Sequence, residues 1–449
     1  MRRKADPFPL SGKMSAQGNR RRLQLDNVCN VWLMRNLEFR WTRFLHAKPP
    51  PTPPENASGR RRDRTMDSEP VYQALFLGAG ARVRGGFGQF THLLYEAVEE
   101  FDPGSCTTLT LTRSEGSLAD IWRAVGSARN VVSNFPILAW KRVIFRPLAA
   151  LLIARLRGRR VILLQHEWAG LHWLRRIAYL PALLLADTIV MFSPLVRRGL
   201  ADDWLAGWTA RKCVLAPLPP NIEAPPGIAD SRLRQRLAAA RKEGRLVIGY
   251  FGSIYPGKQP KALLRIGAIL RDRGQNPLIV YVGSFIQGTD NVEQEFYARA
   301  AELGIIDDVI VSDYVASDHE VFGLLSQIDA FCYLLDEGLT ARRSGILACA
   351  QSGRPVIVTG PAEPDEFDHH PRFKELIDRG AIVVVARGSD DEAYADRIVS
   401  ALKWPSVQAP FDFDGWWLDI ALALRTQFGS LIPSPGTAPD AAQTPPAET

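Results

Sequence analysis

From Val71 onward the chain alternates short, nearly unbroken apolar runs with longer stretches of helical period. Such runs, without apolar–polar alternation, fit strands covered on both faces, the mark of a parallel sheet between helices. In the first half the expected strands are Tyr72–Leu77, Thr107–Leu111, Asn130–Ser133, Val161–Leu164, Thr188–Phe192 and Lys212–Ala216. A proline-rich joint follows, Pro217-Leu-Pro-Pro-Asn221 through Pro225-Pro-Gly227, and the pattern then restarts. The second set is Leu246–Phe251, Pro277–Val282, Val309–Ser312, Ala330–Tyr333, Pro355–Val358 and Ala381–Val385. The expected fold is α/β: two Rossmann-like, doubly wound parallel-sheet domains over 69–220 and 221–410, facing a central cleft. Phe411-Asp-Phe-Asp-Gly-Trp-Trp417 opens a last helix over 411–428, expected to be capped by Asp412-Phe-Asp414 and to pack back across the domains.

The two ends read differently. Residues 1–68 mix arginine clusters with Pro49-Pro-Pro-Thr-Pro-Pro54 and Arg60-Arg-Arg-Asp-Arg64, a disordered basic leader with a short helix across Val28–Phe44. Met66 directly precedes the first globular segment and is a candidate start; the alternative is a real basic tail that meets nucleic acid or anionic lipid. Residues 429–449 form a Pro/Ala/Thr tail that cannot bury a core.

A chain of 449 residues is too long for one ordinary core, and 46% hydrophobic with 23% charged residues is a soluble globular composition. The net charge of +7 suggests nucleic acid until it is located. Residues 1–65 hold 15 Lys/Arg against 5 Asp/Glu, which leaves 40 against 43 in the remainder. The globular part is not basic, so a nucleic-acid partner ranks low. Five scattered cysteines without metal spacing suggest reduced, buried thiols in a cytosolic protein. No apolar run reaches the ~20 residues that span a bilayer, and no secretory signal is evident.

Chemistry concentrates at strand ends. Leu246–Phe251 ends in a turn at Gly252-Ser253, and Lys258 follows at the mouth of a helix, where a backbone turn and a fixed cation suit a phosphate. Asp336-Glu-Gly-Leu-Thr-Ala-Arg-Arg-Ser-Gly345 is a polar loop before a small-residue helix, and its adjacent Arg342 and Arg343 suit phosphate or carboxylate, one of the pair pointing to solvent. Gly85-Gly-Phe-Gly88 is either a ligand loop or a tight structural turn; it does not form the dinucleotide fingerprint. Gln165-His-Glu-Trp168 emerges at the cleft edge, where His166 is either packed or bonded to sugar hydroxyls, and Trp168 could stack on a sugar ring. His369-His370 reads as an exposed loop rather than a metal site, and no DxD motif follows a strand.

These segments, in this order, resemble one family. The chain from about Val71 to Phe428 is similar to GT-B-fold glycosyltransferases of the retaining family-4 (group 1) kind, which use nucleotide-sugar donors. Gly85-Gly86 resembles the family's N-terminal glycine loop, Ala186–Ser193 its "aD.iv..S" strand and Val214–Asn221 its crossover between domains. Gly252 and Lys258 match the ends of its G-R-x-x-x-x-K segment, Val282-Gly283 its "ivG" strand end, Leu325–Phe331 its "l..aDvfv" and Gly353–Val356 its "G.PV". Two departures stand out. Ser253 replaces the family's arginine, and the two family glutamates fall on Thr340 and Ala348. Glu337 could supply the first carboxylate only from a longer loop. Arg342-Arg-Ser-Gly-Ile-Leu-Ala348 is similar to an "RRGS" variant that lacks the second.

The resemblance implies transfer of a sugar from a nucleotide-diphosphate-sugar to a glycan or lipid-linked acceptor, with retention, in cell-surface polysaccharide or glycolipid synthesis. It implies no tightly bound cofactor and no metal. Lys258, Arg342 and Arg343 would neutralise the leaving diphosphate, and amides near Gly252, Gly338 and Ser344 would add donors. Ser253, Gly283, Glu337 and the N-terminal Gly86 would line the donor site, Tyr314-Val315 would hold the base, and His166 would contact donor sugar or acceptor. A catalytically silent GT-B scaffold is the alternative. Trp140–Arg160 and Leu171–Leu180, apolar and arginine-rich, are either ordinary helices of the N-terminal domain or a peripheral contact with an anionic membrane, at the inner face of the plasma membrane of a cytoplasmic protein.

Overall fold

The computed structural model of the chain describes residues 70–428 apart from 79–85, 136–139, 141–142, 221, 287–290, 404–410, 412 and 414, and only the backbone of 86–89. The expected helix at Val28–Phe44, Met66, Cys29, Gly85, the Asp412/Asp414 cap and the two tails lie outside the described residues.

Among the described residues twelve strands form two sheets. The first contains β1 (Tyr72–Gly78), β2 (Cys106–Thr110), β3 (Ala128–Phe135), β4 (Arg160–Gln165), β5 (Thr188–Met191) and β6 (Cys213–Leu215) in the order β2-β1-β3-β4-β5-β6. The second contains β7 (Leu246–Phe251), β8 (Pro277–Val282), β9 (Val309–Val311), β10 (Ala330–Tyr333), β11 (Val356–Thr359) and β12 (Ile382–Val385) in the order β12-β11-β10-β7-β8-β9. Every strand pairing is parallel, for example Val247 beside Leu278 and Phe331 beside Val356. All twelve lie where the apolar runs put them, with ends shifted by at most two residues.

Burial explains the pattern. All six residues of β8 are buried, so no alternation is visible in its sequence, whereas the edge strands β2 and β9 mix exposures. In β1, Leu75 and Leu77 pack into one core while Ala74 and Phe76 pack into another on the opposite face. Strand order reverses beside β7, whose successors β8 and β9 lie on one side and β10 to β12 on the other. The carboxyl ends of β7 and β10 therefore flank a switch point, where open α/β sheets leave a crevice.

The last helix, α13 (Gly415–Arg425), ties the halves together; it lies against α1 (Gly86–Phe101). Its adjacent tryptophans face opposite ways: Trp416 joins the second sheet's core, and Trp417 joins Phe90, Leu94 and Val98 on the first. Arg425 adds an ion pair to Asp102 at 3.1 Å. Leu424 is buried in that seam, so Leu424→Ala is expected to cost about 3 kcal/mol by urea denaturation; a loss below about 1 kcal/mol would mean that the helix is not an integral part of the core.

Candidate active site

The floor of the site is built by two glycines. Gly252, after β7, has φ 125°, and Gly283, after β8, has φ 153°. A Cβ on Gly283 would lie 2.1 Å from the Gly252 carbonyl oxygen, so only glycine lets these strand ends lie side by side. Their amides are engaged: Gly252 N–H donates to Val282 O at 3.0 Å and Gly283 N–H to Ser312 Oγ at 3.0 Å. The Gly252 amide itself is therefore taken, and this glycine serves close approach. Beneath the turn, Tyr333 Oη donates to Phe251 O at 3.0 Å and Tyr250 Oη to Ser253 O at 3.1 Å. Ser253 itself is exposed to the cleft.

Lys258 ends a single 3-10 turn, Pro256–Lys258, before α7 (Pro260–Asp272). Gln259, in the left-handed region at φ 44°, joins the two. The turn folds the lysine back over the glycine, with Nζ 5.7 Å from the Tyr250 ring centroid and 5.3 Å from that of Tyr255. Burial, then the charges of Arg343 and Arg342, push its pKa down to about 8.

The facing loop supplies two more cations. Both arginines donate to Glu337: Arg342 bonds its two oxygens at 2.7 and 3.0 Å, and Arg343 bonds Oε1. Arg342 also reaches Glu167 of the first sheet's domain at 3.3 Å, an ion pair across the cleft. Their side chains are only 20% and 18% exposed, so neither points to solvent as expected for one of them. Among the described residues the Nε of each has no hydrogen-bond partner. Ser344 opens α10 (Ser344–Gln351), whose N-terminus has no side-chain cap and lines the cleft with Gly345. Uncapped amides there favour an anion.

Gly338 plays another part than expected. Its φ is +78°, and a Cβ would lie 2.2 Å from Gly360 O. Its N–H donates to Leu335 O at 3.0 Å, so it offers no free donor but presses the loop against the end of β11. Thr340 and Ala348, where the resemblance places two glutamates, are both buried. Of the loop's carboxylates, Glu337 is the one that pairs with the arginines.

His166 follows β4 and is buried, its ring 5.1 Å from Phe90 and 4.6 Å from Phe192. Burial, reinforced by Arg342, pushes its pKa down to about 3, so the imidazole is neutral at ordinary pH. Trp168 is 1% exposed within the first sheet's core and cannot stack on a sugar, contrary to expectation. His369 and His370 are not an exposed loop either: His370 is buried with Nε2 2.9 Å from Leu218 O, and His369 Nε2 lies 3.3 Å from Phe192 O. Gly86 is the first residue of α1, which contributes Phe90 to the cleft wall.

These parts meet in a cleft of about 1040 Å³, lined from one side by His166 and Glu167 and from the other by Gly252, Ser253, Lys258, Glu337, Arg342, Arg343 and Ser344. A second pocket of about 660 Å³ shares Phe251, Gly252 and Ser253 with it and is lined by Gly283, Tyr314, Val315, Glu223 and Asp318. Sequence reasoning missed Glu167, Tyr255 and Asp318. Glu167 had a signal, its place beside His166; the others are brought in only by folding. Among the described residues no group of three or more His, Cys, Asp or Glu side chains is placed to hold a metal ion.

Two doubly wound parallel sheets facing a cleft, with the last helix crossing back, define the GT-B architecture of glycosyltransferases. Solved structures agree. HepE of Anabaena in complex with UDP superposes with a TM-score of 0.56 at 14% identity, over 79% of this chain and 99% of that one. The same protein with UDP-glucose gives 0.55 at 15% identity over 79% and 99%. Sucrose-phosphate synthase of Thermosynechococcus elongatus gives 0.52 at 16% identity over 79% and 98%. At such identities the likeness is one of fold. No protein-family model and no curated protein sequence matches the chain.

Nitrogen chemical shifts of His166 are expected to stay those of a neutral ring from pH 8 down to pH 5; titration near pH 6.5 would refute its burial against the aromatic wall and Arg342.

Proposed function

We propose that the protein is a glycosyltransferase that takes a sugar from a nucleotide-diphosphate-sugar and passes it to a glycan or lipid-linked acceptor. The observation that carries this reading is a pair of adjoining pockets: one of about 660 Å³ that shares Phe251, Gly252 and Ser253 with a larger cleft where three cations converge. The base and ribose fit the smaller pocket near Val315 and Tyr314. The diphosphate then falls beside Lys258, Arg342, Arg343 and the Ser344 end of α10, with the sugar toward His166 and Glu167.

Breaking the anomeric C–O bond leaves its electron pair on a phosphate oxygen. Fixed cations in a half-buried site stabilise that charge without reorganisation. Neutral His166 can bond a sugar or acceptor hydroxyl but is not an acid at ordinary pH. Retention at the anomeric carbon belongs to this reading, with the acceptor attacking on the face the diphosphate leaves and its hydroxyl proton passing to the departing phosphate oxygen.

Two outcomes test the donor site. In a screen of nucleoside diphosphates by thermal shift, one should stabilise the wild type, and Lys258→Ala should weaken that binding on the order of a hundredfold. The sign with pH follows from Lys258. An anion restores its pKa from about 8 toward the ordinary lysine value, so binding near pH 8 takes up a proton and affinity falls as pH rises from 7 to 9. Calorimetry in buffers of different ionisation enthalpy reads the uptake; proton release, or no stabilisation by any nucleotide, would sink the reading.

The buried Thr340 and Ala348 favour one second reading, a silent scaffold that binds nucleotide without turnover. Nucleotide binding without nucleotide release from any donor and acceptor in a broad panel would support it.

For the acceptor, the outer face of the first domain is informative. Adjacent helices α3 (Phe145–Leu156) and α4 (Trp173–Leu185) bury Leu151 and Ala182 but expose Phe145, Leu152, Leu156, Trp173 and Ile177, beside exposed Arg155 and Arg175. Apolar side chains ringed by arginine suit an anionic lipid surface, as a lipid-linked acceptor requires. Among the described residues no helix is long and apolar enough to cross a membrane. The protein is expected to float with phosphatidylglycerol vesicles and not with pure phosphatidylcholine, and Leu152→Ser with Leu156→Ser should release it. Equal flotation of that variant would refute the contact.

A further inference from the structure

Glu366 lies beyond β11, is 1% exposed, and belongs to no motif in the sequence. Its carboxylate accepts three hydrogen bonds from two directions. Ser193 Oγ donates to Oε1 at 2.6 Å and Leu195 N–H to Oε2 at 3.3 Å, both from the first domain. Ala341 N–H donates to Oε1 at 3.0 Å, from the loop that continues into Arg342 and Arg343.

The first-domain partners explain the site. Leu195 is the second residue of α5 (Pro194–Ala201), and Ser193, its N-cap, makes no side-chain cap bond of its own. The orphan amide at this helix start is capped instead by a carboxylate from the other domain, where the helix dipole also favours it. Burial raises the Glu366 pKa, and these three bonds oppose that shift. Contacts on either side follow the same path. Asp365 pairs with Arg198 at 3.0 Å, His369 reaches Phe192 O, and His370 reaches Leu218 O. Segment 365–370 is thus a strap laid on the first domain, and Glu366 is the point where the strap touches the arginine loop.

We propose that Glu366 is a positioning residue: by joining Ala341 to the start of α5, it sets how far Arg342 and Arg343 reach across the cleft. Engagement of the two domains and diphosphate binding on the arginines are then coupled. This rests on the donor reading above. An unpaired Arg342 loop would still carry its charge, but not at a fixed distance from His166 and Glu167.

The test uses the full chain and the nucleoside diphosphate that stabilises the wild type best. Glu366→Ala is expected to weaken its binding on the order of tenfold. Glu366→Gln keeps an Oε1 acceptor for Ser193 and Ala341 and should recover most of the loss. With both arginines already replaced by alanine, Glu366→Ala should have no further effect, because its action runs through them. The same tenfold loss in both backgrounds would assign Glu366 to general stability and overturn the proposal, as would no loss in either. If Glu366→Ala does not fold, Ser193→Ala takes its place, with a smaller loss expected under the same comparison. Wild-type protein that binds no nucleoside diphosphate overturns the donor reading and this proposal together; binding that is insensitive to Glu366 overturns this proposal alone.

Discussion

Like-charge crowding at the carboxyl edge of the second sheet is the constraint on which the rest of the site depends. Lys258, Arg342 and Arg343 converge on one cleft, and the low pKa of Lys258 records the cost of burying a charge near two guanidinium groups. The fold meets that cost locally. Glu337 bonds both arginines, Glu167 meets Arg342 from across the cleft, and the rings of Tyr250 and Tyr255 face the ammonium. The two carboxylates pair with the arginines, while the aromatic rings are what lie against Lys258.

Backbone geometry makes the convergence feasible. Gly252 and Gly283 lie so close that a side chain on the second would overlap the carbonyl of the first. Gly338 presses the arginine loop onto Gly360 in the same manner. Glycine here serves approach rather than donation, since the amides at all three positions already have partners. The uncapped start of α10 is where backbone N–H groups remain to meet an anion.

Much of the fold was legible because a strand covered on both faces must be apolar throughout. The run Pro277–Val282 reads as a strand for that reason, and its six residues are all buried. The site was legible only where local sequence determines position, as with Lys258 after a glycine turn. It was illegible where partners come from afar. Trp168 looked like a sugar platform because its sequence neighbours face the cleft, yet the chain turns it into the core. His369 and His370 looked exposed because their loop is polar, although another domain covers them. Glu366 had no signal at all: its partners Ser193 and Ala341 lie 173 and 25 residues away.

The same distinction bears on Thr340 and Ala348. A glutamate at position 348 would stand inside α10 among Leu347, Cys349 and Ala350, all buried in the second core, and would place a charge there without a counter-ion. Thr340, equally buried, precedes the alanine whose amide Glu366 holds. Both positions where the resemblance places carboxylates are thus taken up by buried side chains. What the loop presents to the cleft instead is Arg342 and Arg343, steadied by Glu337 from within and by Glu366 from behind. The loop is thus built to bring two guanidinium groups to the cleft and to give positions 340 and 348 to the interior.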